Sequence, residues 1–138
     1  MNKELQRVVA FIEKHHVMSL ATTLNDALSV CSLFYVFDRD TNSFVVASSL
    51  ETTHIKHIMS NENIAGNILL ETKKIGEIKG LQFKGVFLPF SNSRLTKKYF
   101  FHFPYALAMN PTLWQIKLSS VKLTDNSLGF GKKIELYF

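Results

Sequence analysis

The chain has 138 residues, is 46% hydrophobic and 20% charged, and carries one cysteine and a net charge of +5. That balance describes one globular domain, residues 1–138, large enough to bury most of its apolar surface, and excludes a disordered chain. Cys31 alone excludes an internal disulfide, a zinc ribbon and an iron–sulfur site; no signal peptide and no membrane span are expected, which points to the reducing cytoplasm.

In chain order, Leu5, Val8, Val9 and Ile12 share one side of residues 3–16, the spacing of an amphipathic helix. From Val17 the texture turns to β-rich runs: Val17–Thr23, a turn at Leu24-Asn25-Asp26, Leu28–Phe37, a turn over residues 38–42, then Phe44–Ser48. Connections this short predict an antiparallel meander, since parallel neighbours need a crossover. Thr52–Ser60 reads as a short helix with a Thr cap. Ile64–Glu71 and Ile75–Pro89 read as a hairpin around Lys73-Lys74, with a bulge or bend at Gly80 or Gly85. Ser91–Phe103 reads as a helix interrupted by Pro104, with a further short helix up to Asn110. Leu113–Leu118, Val121–Leu123 and Lys132–Phe138 read as closing strands. Six to eight antiparallel strands in so short a chain predict a mainly β protein curled into a barrel.

Charge is unevenly spread. Residues 1–78 carry −2 and residues 79–138 carry +7, which suits an anionic partner or simply a solvated basic face. Among enzyme templates, a Gly-x-Ser-x-Gly elbow is absent. Cys31 sits in an apolar run, where a buried thiol is the commoner outcome. His15-His16 points two rings in different directions, and His54 with His57 lacks a third ligand, so no metal site is expected. Near the C-terminus, Thr124-Asp125-Asn126-Ser127-Leu128-Gly129-Phe130-Gly131-Lys132-Lys133 fails as a P-loop in spacing and hydroxyl, and as a dinucleotide fingerprint in its missing third glycine. Gly129-Phe130-Gly131 and Lys84-Gly85-Val86-Phe87 are fragments of an RNA-reading strand, without that fold's element order. Ser48-Ser49-Leu50-Glu51-Thr52-Thr53-His54 leads a strand into a helix start. Its hydroxyls and His54, if an anion raises the imidazole pKa, make a candidate phosphate seat; Thr52 or Thr53 as a plain helix cap explains the same residues equally well.

The order of these pieces, with Met18-Ser19-Leu20-Ala21-Thr22-Thr23, Tyr35-Val36-Phe37-Asp38, Lys79-Gly80-Leu81-Gln82-Phe83-Lys84-Gly85 and the segment Lys122–Lys133, resembles the flavin-binding split barrels related to pyridoxamine 5′-phosphate oxidase, in particular their small bacterial YhbP-type branch. The resemblance spans essentially the whole chain. It implies a six-stranded split barrel and a homodimer with flavin mononucleotide (FMN) between the subunits. Thr52, Thr53 and His54 match the oxidases' phosphate-binding Ser-Arg-Lys triplet, keeping the hydroxyl and losing both cations. Cys31, Ser32, Ala47 and Ser48 would flank the flavin ring and ribityl chain, with Gln82 near the cofactor. Asn126 to Lys133 would reach it from the second subunit, Lys132 or Lys133 standing in for an arginine that contacts a pyridoxal-type substrate. The substrate-binding arginines are not reproduced, so the implied activity is an FMN-dependent oxidoreductase with a different small-molecule substrate. A non-enzymatic module on the same barrel, binding haem or another cofactor, is the alternative; a nucleic-acid binder is the weakest reading.

Overall fold

Asn2 opens the first helix by accepting the Leu5 backbone N–H on its side chain (2.7 Å), and Lys3–Lys14 form α1. The computed structural model describes residues 2–138. Val8, Val9, Phe11 and Ile12 bury one face of α1, and the Tyr35 hydroxyl ties it to the sheet by donating to the Ile12 carbonyl (2.6 Å). Strands β1 (Val17–Leu24) and β2 (Ala27–Asp38) form a hairpin across Asn25-Asp26. Both turn residues have positive φ, 48° and 68°, the mirror-image turn that matches strand twist and favours Asn and Asp. Residues 39–42 lead into β3 (Ser43–Ala47), and Thr52 caps α2 (Thr53–Ile58).

Next come β4 (Asn63–Leu69), β5 (Lys79–Leu88), α3 (Ser93–His102), β6 (Leu113–Asp125) and β7 (Lys133–Tyr137). β5 begins four residues later than the sequence pattern suggests, because Ile75–Glu77 fold as a 3₁₀ turn with Ile75 exposed. A second 3₁₀ segment, Pro104–Met109, follows α3. The two closing strands expected over Leu113–Leu118 and Val121–Leu123 are one strand, β6. Lys84 pairs with Ser120 and Gly85 with Leu118, so Ser119 is the extra residue of a bulge, and its hydroxyl donates to the Lys84 carbonyl (3.1 Å). The bulge thus lies opposite Gly85, not at it. Gly85 is the close-approach position: an added Cβ would lie 2.3 Å from the Lys117 carbonyl oxygen.

The strand order is β3-β2-β1-β4-β5-β6-β7, antiparallel throughout, and β3 also pairs with β6. Six strands therefore close a ring, and a seventh, β7, adds to β6 outside it; the expected count of six holds for the ring alone. Phe44 lies at its centre, with ring centroids 5.0 Å from Phe83 and from Tyr35 and 5.4 Å from Phe37. A second apolar cluster, Val36, Val45, Leu95 and Tyr99, packs α3 against the outer side of β2 and β3. No helix among the described residues is long and apolar enough to cross a membrane.

Candidate cofactor site

Ser48 continues β3 by one rung, its N–H donating to the Thr112 carbonyl (3.0 Å), while its own carbonyl accepts the Trp114 indole N–H (3.0 Å). The chain then turns. The Thr52 hydroxyl donates to the Ser49 carbonyl (2.9 Å) and accepts the Ile55 N–H (3.4 Å). His54 and His57 both face inward from α2. His54 Nε2 lies 2.5 Å from Ser48 Oγ and 3.4 Å from Thr52 Oγ1, and His57 Nδ1 lies 2.9 Å from Thr22 Oγ1 on β1. Burial, with a smaller contribution from His57, lowers the His54 pKa, so the ring is neutral at pH 7. The imidazole that the sequence offers to a phosphate is thus held by Ser48 inside the protein. Thr52 is the helix cap. Thr53 is exposed.

Cys31 pairs with Leu20, is half-buried against the core, and burial pushes its thiol pKa up, which disfavours the nucleophilic thiolate. Ser32 faces outward. Following the ladders sideways, Ser32 pairs with Ser19, Ser19 with Asn67, Asn67 with Gln82, Gln82 with Lys122, and Lys122 with Glu135. Paired residues share a face of the sheet, so this is one polar row crossing six strands on the outside of the barrel. Gln82, Lys84, Lys122, Glu135 and Tyr137 help line a 310 Å³ depression there. Of the row, sequence reasoning found only Ser32 and Gln82. Ser19, Asn67, Lys122 and Glu135 are recognisable only once the strand register is known.

Ala47 and Ser48 instead line a separate 230 Å³ cavity with Tyr99, Ala106, Met109 and Pro111. Asn126 acts locally, its amide donating to the Ile75 carbonyl and accepting the Gly131 N–H (2.9 Å each), which closes the β6–β7 loop. Lys132 at the end of that loop and Lys133 at the start of β7 are exposed and make no ion pair among the described residues. Ser48 sits beside the start of β6 and Asn126 follows its end. At about 3.3 Å per residue these places are up to about 40 Å apart along a 13-residue strand. One subunit thus keeps the Ser48–His54 group and the Asn126–Lys133 group apart.

No protein-family model matches the chain. A UPF0306 protein of Photorhabdus laumondii is 33% identical over 135 residues, which cover 96% of this chain and 94% of the relative. A UPF0306 protein of Cronobacter sakazakii is 35% identical over 134 residues, 94% of this chain and 92% of the relative. The chain belongs to the UPF0306 family.

The UPF0306 chain also shares its fold with solved structures at low identity. A heme binding protein from Mycobacterium smegmatis superposes with a TM-score of 0.80 at 12% identity, over 99% of this chain and 59% of that one. A FAD-binding protein from Mesorhizobium loti gives 0.72 at 11% identity, over 86% and 90%. A NimC/NimA family protein from Clostridium acetobutylicum gives 0.69 at 14% identity, over 97% and 93%. The fold of this UPF0306 member is the split barrel of the pyridoxamine 5′-phosphate oxidase-like proteins, and two of these neighbours are named for binding heme and FAD.

Proposed function

We propose that the chain binds FMN between the two subunits of a homodimer and acts as an oxidoreductase, with residues 1–138 as a single cofactor-binding domain. The observation that carries this reading is the outward row Ser32–Ser19–Asn67–Gln82. Hydroxyl and amide groups both donate and accept, which suits the imide edge and ribityl hydroxyls of a flavin. The row is framed by apolar neighbours, Val30–Ala21–Ala65 on one side and Phe34–Val17 on the other. Polar groups inside an apolar frame are the make-up of a ligand-bearing interface.

The residues suit the neutral parts of the cofactor more readily than its phosphate. Ser48, Thr52 and His54 are bonded to one another or to the backbone, and residues 40–55 contain no Lys or Arg. Ser49 and Thr53 offer the hydroxyls left at the head of α2. Lys132 and Lys133 of a second copy would supply the missing positive charge. Cys31 and Ala47 would contribute shape rather than hydrogen bonds. When bound, FMN supplies hydride or electron transfer at its N5, and the protein supplies position and electrostatics.

The test is reconstitution. The protein should take up close to one FMN per subunit, and changing Lys132 and Lys133 together to Gln should weaken uptake by about tenfold. A colourless protein that takes up no flavin overturns the reading. A haem reading is favoured by the likeness to the M. smegmatis protein alone. Of the five histidines, His54 and His57 are engaged with Ser48 and Thr22. A Soret band on haem titration together with no flavin uptake would put haem in its place.

A further inference from the structure

Two cavities meet at the C-terminal end of α3, and of their lining residues Phe34 alone enters the flavin reading, as part of its apolar frame. The first, 440 Å³, has walls of Phe34, Tyr99, Phe103, Tyr105 and Met109, with His102 at its edge. The second, 380 Å³, shares His102 and Phe103 and adds Lys14, His15, His16 and Lys98. Phe34 stands at the junction. Its ring stacks on His16 (5.9 Å between centroids, 10° between planes) and meets Phe103 edge-on (5.6 Å, 63°). Phe34 nevertheless remains 55% exposed, and Tyr105 93%. Aromatic surface gathered in a concave place and left open to water is a mark of a ligand groove.

The second cavity supplies charge. Glu13 is neutralised by Arg39, and Lys98 by Asp38, which also holds Arg94 through both carboxylate oxygens (2.7 and 3.0 Å). Among the described residues Lys14 makes no ion pair and remains a free cation. His15 responds to that excess: after burial, the charges of Lys14, His16 and Lys79 are what lower its pKa. His102 Nδ1 lies 3.0 Å from the Lys98 carbonyl, which can only accept, so Nδ1 carries the proton and Nε2 is an acceptor, which leaves Lys14 as the group that attracts an anion.

We propose that the joined groove binds a planar aromatic anion of one or two rings, its ring against Phe34 and Phe103 and its acidic group toward Lys14. Each of the two cavities alone lies at the small end of the range for small-molecule sites, roughly 300–1,000 Å³. The site needs no flavin, and it shares with the flavin reading only Phe34 of the apolar frame.

The probe is 2-naphthoate, titrated calorimetrically into the full, flavin-free chain, beside 2-naphthamide and cyclohexanecarboxylate. The expected result is saturable binding of one 2-naphthoate per chain, about tenfold tighter than either analogue. Phe103→Leu and Lys14→Gln should each weaken it about three- to tenfold with an unchanged circular dichroism spectrum, and Thr52→Ala should not weaken it. Lys14 is a surface residue, so its variant keeps the test alive if Phe103→Leu fails to fold. Equal affinity for 2-naphthamide overturns the anion, and equal affinity for cyclohexanecarboxylate overturns the aromatic ring. Binding that is absent, or unchanged in Lys14→Gln and in any folded Phe103→Leu, overturns the site. Site occupancy that falls as the chain self-associates marks the groove as a contact between copies and overturns the proposal too. Each of these failures would leave FMN uptake, measured separately, untouched.

Discussion

Asp38 is 1% exposed yet accepts from Arg94, Lys98 and Thr41, and those partners hold its carboxyl well below the usual carboxylate range. Asp38→Ala should therefore cost about 2–3 kcal/mol in chemical denaturation, since charged hydrogen bonds and a buried acceptor go together. Acid should act in two stages. The folded pKa of His54 lies below its unfolded value of 6.5, so the unfolded chain takes the proton first. Stability from this group is present above about pH 6.5 and is lost as pH falls below it. Asp38 and Asp125 are also lowered, from 3.8, so their contribution disappears only as pH falls below about 4. Melting temperature followed against pH should show both stages, and His54→Gln should flatten the first while sparing the second. A wild-type curve flat down to pH 4 would mean that His54 is protonated without cost. The long-range partnerships are not legible in sequence: Asp38 meets Arg94 56 positions away, and His57 meets Thr22 35 away.

The elements themselves were far more legible. Helix periodicity marked α1, and Asn, Asp and Thr marked the turns and the cap of α2, because these features act within a few residues of one another. Local pattern misleads where a spatial neighbour overrules it. Ser119-Ser120 looked like a break between strands, but a bulge lets β6 run through it beside β5. Ile75 looked like strand and is exposed in a 3₁₀ turn. The same close approach makes Gly85→Ala a sharp test of the β5–β6 contact. The new Cβ would meet backbone, which cannot swing aside, so a loss of about 2–3 kcal/mol or failure to fold is expected in urea denaturation. Thr52→Ala should cost about 1 kcal/mol through the lost cap. A loss much larger than that would assign the Thr52–His54 contact a share of its own.

For the whole molecule, the outward face of the sheet is where the dimer proposal is exposed to failure. Val30 is 73% exposed beside Ala21, and Val30→Lys would place a charge in the apolar frame. Light scattering should then report a monomer with FMN uptake reduced together with it; a dimer that persists would place the interface elsewhere. The sequence carried the barrel but not this face, since outward apolar residues become a patch only when the register lines them up. Closure of the ring has a consequence for how the chain comes to be folded at all. Residues 43–47 of β3 wait for partners 66 to 74 positions further on, Leu113 to Lys117. During synthesis, five strands, β1 to β5, can assemble before the lock exists, and β3 presents an unpaired edge rich in Phe44, Val45 and Val46 throughout that interval. So distant a contact makes for slow folding, roughly milliseconds to seconds for topologies of this kind. A chain halted before β6 should accordingly associate through that edge rather than wait as a folded monomer.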